Sequence, residues 1–320
     1  NSGLHKHFNA AFAMFQWMLR TAKHVVCMDA NLSDRTFRTL RRMRPEHPAH
    51  FHWNRFARAA GDAYRFTADQ GAWLASLYAQ LRDGKRVVLP TNSLTEARAL
   101  EEAVRREFPQ KNIMLYSSET APSEKARHFG DVHTYWAQLD VLIYTPTCSA
   151  GVSFELQHFD SLFGYFCDTS CDVETCRQML GRVRNLGTRE HVICLRVTGA
   201  ALPSTIADIR RLVHDKRAGL YRHTADAALQ YEYDLEGGIK FYESEYFHLW
   251  METVRVNNLS RNEFANRFID QVADTGATVE ALVPTEPGAG AALLTNHREV
   301  RGELRAARCE SVALAVELTT

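Results

Sequence analysis

Six short runs rich in β-branched and aromatic residues punctuate the chain: His24–Met28, Arg86–Leu89, Ile113–Tyr116, Val141–Tyr144, Leu162–Phe166 and His191–Val197. Each is nearly continuous in apolar character, the pattern of a strand covered on both faces. Between the second run and the last the pattern turns helical. This is plainest at Leu94–Phe108, where Leu94, Ala97, Leu100, Val104 and Phe108 recur every three or four positions with charges opposite. Strand and helix in alternation predict a parallel sheet with crossover helices, so residues 85–200 read as one doubly wound α/β domain. Residues 1–66 read as the end of a preceding domain, one long helix (Phe8–Lys23) feeding the strand that ends at Met28-Asp29-Ala30, with 67–84 as the connection.

Beyond Pro203 the strand signal stops. Tyr242, Tyr246, Leu249, Trp250 and Val254 would line one helical face, as would Phe264, Phe268 and Val272, so 201–282 reads as a helical appendage. Val283–Gly290 (VPTEPGAG) reads as a linker, and with it 283–320 as linker and tail.

Composition narrows the class. The 320 residues, 45% hydrophobic and 10% aromatic, suffice for about two globular domains. The 38 basic and 38 acidic residues cancel, so any nucleic-acid surface must be local rather than a global basic field. Only seven of the cations are lysine, leaving 31 arginines, the side chain suited to bidentate phosphate contacts. No run of about 18 apolar residues predicts a membrane span, and the N-terminus lacks the pattern of a signal peptide. The chain reads as intracellular and as cut from something longer. Seven scattered cysteines argue for free thiols in a reducing compartment. Cys167, Cys171 and Cys176 cluster, but without CxxC spacing or an intervening histidine, so no metal site is expected.

In an open parallel sheet the residues just after each strand face the ligand crevice. Here they are small and polar: Thr91-Asn92-Ser93, Ser117-Ser118, and the run from Thr145 to Ser153. Asn92, Ser93, Ser117 and Thr145 are therefore candidates for gripping the phosphates of a nucleic-acid strand. Capping of the following helices is the plainer alternative. After the Leu162–Phe166 run comes Thr175-Cys176-Arg177-Gln178-Met179-Leu180-Gly181-Arg182-Val183-Arg184, whose glutamine, glycine and arginines are hard to justify as core.

That last run resembles the sixth motif of superfamily 2 helicases. Asp140–Glu155 (DVLIYTPTCSAGVSFE) resembles the fifth, with Thr145 and Gly151 in place but Ser153 where an acid is usual. Lys85–Leu94 (KRVVLPTNSL) resembles the fourth. Met28-Asp29-Ala30-Asn31-Leu32 resembles a third motif in which Ser-Ala-Thr has become Asp-Ala-Asn. Together with Trp136, Phe154-Glu155, His158-Phe159-Asp160 and Phe163-Gly164-Tyr165-Phe166, these resemble the herpesvirus-type replication origin-binding protein helicases over roughly residues 10–275.

The resemblance implies a RecA-like parallel-sheet domain, the remnant of a RecA-like domain before it and a C-terminal helical region. It implies the C-terminal part of an ATP-dependent DNA helicase that opens duplex DNA at replication origins, in the nucleus or at a viral replication site. Arg182 and Arg184 become arginine-finger candidates, Gln178 a residue meeting the phosphate or the attacking water, and Gly151, Ser153 and Gly181 residues of the nucleotide site. Asp29, Ala30 and Asn31 become the inter-domain coupling element.

ATP and Mg2+ would be held mainly by a part not in this sequence. Its only Gly-Lys, Gly84-Lys85, lacks the spacing of a P-loop, and no Asp-Glu pair occurs. DNA is the implied partner, with a second copy or other replication proteins beside it. Other readings stay open at this point: another superfamily 2 helicase acting on RNA or DNA, a non-catalytic nucleic-acid-binding module, and a nucleotide-binding oxidoreductase. The last would need a Gly-x-Gly-x-x-Gly after a strand, and none is present.

Overall fold

The apolar runs at Val87–Pro90, Ile113–Tyr116, Val141–Tyr144, Ser161–Cys167 and Glu190–Arg196 are neighbours in one parallel sheet. The computed structural model describes residues 8–29, 32–148, 151–199, 201–214, 231–233, 239–241, 243–284, 288 and 290–317. Its first elements in chain order are α1 (Phe8–Thr21), α2 (Asp34–Met43), β1 (Ala63–Thr67), α3 (Gln70–Arg82), β2 (Val87–Pro90), α4 (Leu94–Glu107) and β3 (Ile113–Tyr116). Next come α5 (Pro122–Gly130), α6 (Val132–Trp136), β4 (Val141–Tyr144), β5 (Ser161–Cys167), α7 (Val173–Leu180), β6 (Glu190–Arg196) and α8 (Ile206–His214). The last are β7 (Tyr231–Tyr233), β8 (Ile239–Phe241), α9 (Glu245–Asn262), α10 (Phe264–Ala273), β9 (Thr278–Ala281) and α11 (Ala291–Glu317).

Two units result, Asn1–Asn54 with Ala200–Asn262, and Arg55–Gly199 with Glu263–Thr320. The second holds the sheet, in the order β3-β4-β2-β5-β6-β1-β9, with every pairing parallel. Alternate residues of each strand feed opposite cores, as the two-residue side-chain period requires. Val87, Leu89, Val141, Ile143, Phe163 and Val192 meet α3 and α4 through Trp73, Leu77, Leu100 and Val104. Val88, Leu142, Tyr144, Leu162, Phe166 and Ile193 lie in the other core, with Trp136 of α6, Met179 of α7 and Phe264, Phe268 and Val272 of α10. At Gly164 any side chain would collide, because a Cβ there would lie 2.7 Å from the Phe166 ring and 2.8 Å from Ile193 Cδ1.

The other unit has a small core of its own, Ile209 and Val213 of α8 against Phe247 and Met251 of α9. Arg42 of α2 makes a two-pronged contact to Glu245 of α9, at 3.1 and 3.2 Å, and Arg38 reaches Glu252 at 3.3 Å. Asn262 brackets Leu202, accepting from its N–H at 2.8 Å and donating to its carbonyl at 2.9 Å.

The parallel α/β sheet is as expected, but the boundaries fall elsewhere. Residues 63–66, read as the end of a preceding domain, form with Thr67 a strand of this sheet, and the expected 67–84 connection contains helix α3. The expected appendage at 201–282 divides after Asn262, because Phe264, Phe268 and Val272 are core residues of the sheet unit. The 283–320 tail contains the 27-residue α11, packed on α3 and α4. His24–Met28 forms no strand. A strand needs a hydrogen-bonded neighbour, and this run has none among the described residues, with Val26 79% and Met28 91% exposed. Tyr242 lies outside the described residues. Among them, no helix is long and apolar enough to cross a membrane.

Candidate functional site

Strands β3, β4 and β2 end level, with Tyr116 and Pro90 both paired to Tyr144, so the polar residues after them emerge along one edge of the sheet. The fold uses all four candidate side chains there. The Asn92 amide bridges β2 to β5, donating to the Cys167 carbonyl at 2.7 Å and accepting from the Cys167 N–H at 2.9 Å. Ser93 caps α4 by accepting from the Glu96 N–H at 3.3 Å. Ser117 accepts from the Glu119 N–H at 3.2 Å. The Thr145 hydroxyl lies 3.0 Å from that of Thr147 and donates to the Tyr116 carbonyl at 3.4 Å. Asn92, Ser117 and Thr145 are buried. Sequence reasoning missed one cation at this edge, Lys125 of α5, whose ammonium donates to the Ser117 carbonyl at 3.1 Å. A single lysine in a helical pattern carries no signal of that placement.

The arginine motif is built by α7 and the turn after it. Asp172 caps the helix by accepting from the Thr175 N–H at 2.8 Å. Glu174 accepts from Arg267 and Gln271 of α10, and Arg177 donates to Gln271 at 2.8 Å, which fixes one flank of the helix. Gln178 remains exposed. At Gly181 the helix ends, and the chain extends beside Phe154: the Phe154 N–H donates to the Arg182 carbonyl at 2.8 Å, and the Arg184 N–H to the Phe154 carbonyl at 3.0 Å. In extended backbone Arg182 and Arg184 share a side, while Val183 turns into the core at 3% exposure.

Arg182 is thereby joined to the loop after β4. Its Nη1 donates to the Val152 carbonyl at 3.4 Å, between Gly151 and Ser153, and its Nε is buried with no partner among the described residues. Gly151 has φ +96°, a left-handed backbone that suits glycine. The Ser153 hydroxyl donates to Glu155 at 3.4 Å. Cys148 of the same loop has its thiol pushed up to about 12 by burial, with the Arg182 charge pulling the other way. Arg184 is exposed.

Arg182, Gly151 and Ser153 thus meet in one place, with Gln178 one turn earlier and Arg184 two residues on. Guanidinium and amide donors beside a glycine loop suit phosphate oxygens. A divalent cation would need oxygen ligands, and the described residues hold no group of three or more His, Cys, Asp or Glu side chains that could bind one. Asp29 belongs to the unit without the seven-stranded sheet and is exposed, while Ala30 and Asn31 lie outside the described residues.

Residues 60–209 match the family described as origin of replication binding protein. A "Putative helicase/primase complex protein" of African swine fever virus, isolate Pig/Kenya/KEN-50/1950, is 49% identical over 283 residues, 88% of this chain and 27% of the viral protein. The replication origin-binding protein of human herpesvirus 6A, strain Uganda-1102, is 27% identical over 180 residues, 54% of this chain and 22% of that protein. The chain therefore spans about a quarter of the length of these curated relatives. A solved structure of an S. cerevisiae Dbp5 variant bound to RNA and ADP BeF3 aligns with a TM-score of 0.40 at 10% identity, over 85% of this chain and 54% of that one.

Proposed function

We propose, from the match of residues 60–209 to the origin of replication binding protein family, that the chain is part of an ATP-driven DNA helicase acting at replication start sites. In this reading it supplies the arginine finger and one DNA-facing sheet edge, and works intracellularly where viral DNA is replicated. Triphosphate and magnesium are held mainly by parts of the protein outside this sequence. DNA is the partner, together with a second copy of the protein or other replication proteins.

The observation that carries the reading is Arg182. It is tied at one nitrogen to the Val152 carbonyl, while its Nε is buried and without a partner among the described residues. A cation held in place but not neutralised by a carboxylate is what phosphoryl transfer needs as charge spreads over the transferred group. ATP, when bound, supplies the phosphoryl group transferred to water. Arg182 then brings positive charge to its oxygens and Arg184 adds a second cation. Gln178 either contacts the phosphate or orients the water. The edge bearing Asn92, Ser93, Ser117 and Thr145 holds a single strand through the backbone N–H groups of loops that these side chains shape, with Lys125 as the nearby cation.

In the full-length protein Arg182→Ala lowers kcat by about 10³ while ATP affinity changes little, since a finger acts on transition-state charge. An equal loss in ATP binding and turnover would give Arg182 a ground-state role instead. The 320-residue polypeptide alone, lacking a P-loop sequence, is expected to show no ATPase.

A further inference from the structure

At the start of α7 the chain reads Cys171-Asp172-Val173-Glu174-Thr175-Cys176. With Asp172 as the cap, Cys171 is the residue before the cap and Cys176 the fourth of the helix. Side chains at these two positions meet across the first turn, usually as a pair of apolar groups fixing the chain's entry angle. Here the pair is two thiols with sulfurs 3.6 Å apart. Cys176 is fully buried, Cys171 half-buried. The Asn92 amide nitrogen lies 3.5 Å from the Cys176 sulfur.

The two thiols differ in chemistry. Burial holds Cys176 well above the ordinary thiol range, so it keeps its proton. The hydrogen bond from Cys176 holds Cys171 below that range, against the opposing effect of its partial burial. Cys148 and Cys194 are both pushed up to about 12 by burial. Neither the proposed finger nor the DNA edge uses the Cys171–Cys176 pair.

We infer that Cys171 and Cys176 form a peroxide-sensitive modification site, with Cys171 as the attacking thiolate and Cys176 as the resolving thiol. In the first step the Cys171 sulfur attacks one oxygen of hydrogen peroxide. An S–O bond forms, the O–O bond breaks, and hydroxide leaves with the electron pair, giving a sulfenic acid. In the second step the Cys176 sulfur attacks the Cys171 sulfur. The S–S bond forms and the S–O bond breaks, and the departing hydroxide takes the Cys176 proton as water. Two thiols lose two electrons and one peroxide becomes two waters. The sulfurs close from 3.6 Å to about 2 Å. The product is a covalent staple at the first turn of α7.

The test uses the full chain with the exposed Cys27 and Cys309 replaced by serine. It is treated with hydrogen peroxide and mapped by mass spectrometry without reduction. The expected product is a Cys171–Cys176 cross-link that dithiothreitol reverses. Cys176→Ser should stop at the first step, giving a dimedone adduct on Cys171, and Cys171→Ser should give neither adduct nor cross-link. The map of the parent protein needs no further variant, so a destabilising replacement leaves the test intact. An unmodified Cys171 in that map, or a cross-link to Cys167 in place of Cys176, would overturn the assignment.

Discussion

His297 Nε2 lies 2.7 Å from Glu96 Oε1 with both side chains only 2% exposed, so α11 is fastened to the first turn of α4 by an acid–imidazole pair sealed from water. Ser93 and Glu96 have the spacing of a capping box, in which the glutamate would reach back to the Ser93 N–H. That N–H instead donates to the Thr91 hydroxyl at 3.2 Å. Glu96 is thereby released to meet His297, Gln70 at 2.6 Å and Arg301 at 3.7 Å.

Removing His297 takes one of three partners from buried Glu96 and leaves it Gln70 and Arg301. His297→Ala should destabilise the protein by about 1–3 kcal/mol, read as a lowered urea midpoint. Glu96→Ala combined with His297→Ala should cost less than the two single changes summed, by about 1–3 kcal/mol. Strict additivity would mean that the contact contributes nothing.

His191 gives a pH dependence of definite sign. Its ring stacks on Tyr64 at 4.1 Å between centroids, and burial pushes its pKa down to about 4. The folded protein holds it neutral, whereas the unfolded chain protonates it near pH 6.5. The unfolded state therefore binds more protons in between, and this contribution is lost as pH falls from about 6.5 toward 4, by about 3 kcal/mol at most. His191→Phe should flatten the change in urea stability between pH 7 and pH 4.5 relative to the parent protein. An unchanged slope would show that His191 does not contribute.

Thr145 separates scaffold from contact. Its hydroxyl is spent on Thr147 and the Tyr116 carbonyl, so Thr145→Ala should lower stability by about 1 kcal/mol. In the intact protein the slope of log DNA affinity against log salt should stay nearly unchanged, because no cation is removed. A normal melting temperature with lost DNA-stimulated ATPase would make the hydroxyl a direct DNA contact.

What the sequence revealed follows from where each element is buried. Strands β2, β4, β5 and β6 are covered on both faces and write themselves as apolar runs. At β1 only Tyr64 and Phe66 are buried, and edge strand β9 is largely exposed, so neither leaves such a run. Helix α3 gathers Trp73, Leu74, Leu77, Tyr78 and Leu81 on one face, but Ala72, Ala75 and Ala79 opposite them leave few charges to mark the stripe. Helix α11 escaped notice because part of its attachment is polar, through His297 and Arg301. The arginine motif was legible because Gln178 to Arg184 are contiguous. That Val152 receives Arg182, and that Asn92 joins β2 to β5, depend on contacts between distant segments that no local pattern encodes.

The pairing of β1 with β9, Ala63 opposite Thr278, has a consequence for how the protein is made. During synthesis β1 can join β6 once residue 196 has emerged, yet its outer edge stays bare until Thr278–Ala281 arrive. A bare edge invites pairing with another nascent chain. Polypeptides ending before residue 278 should therefore clump on expression while those running through 281 stay dispersed, which makes β9 the strand that ends the chain's vulnerable interval on the ribosome.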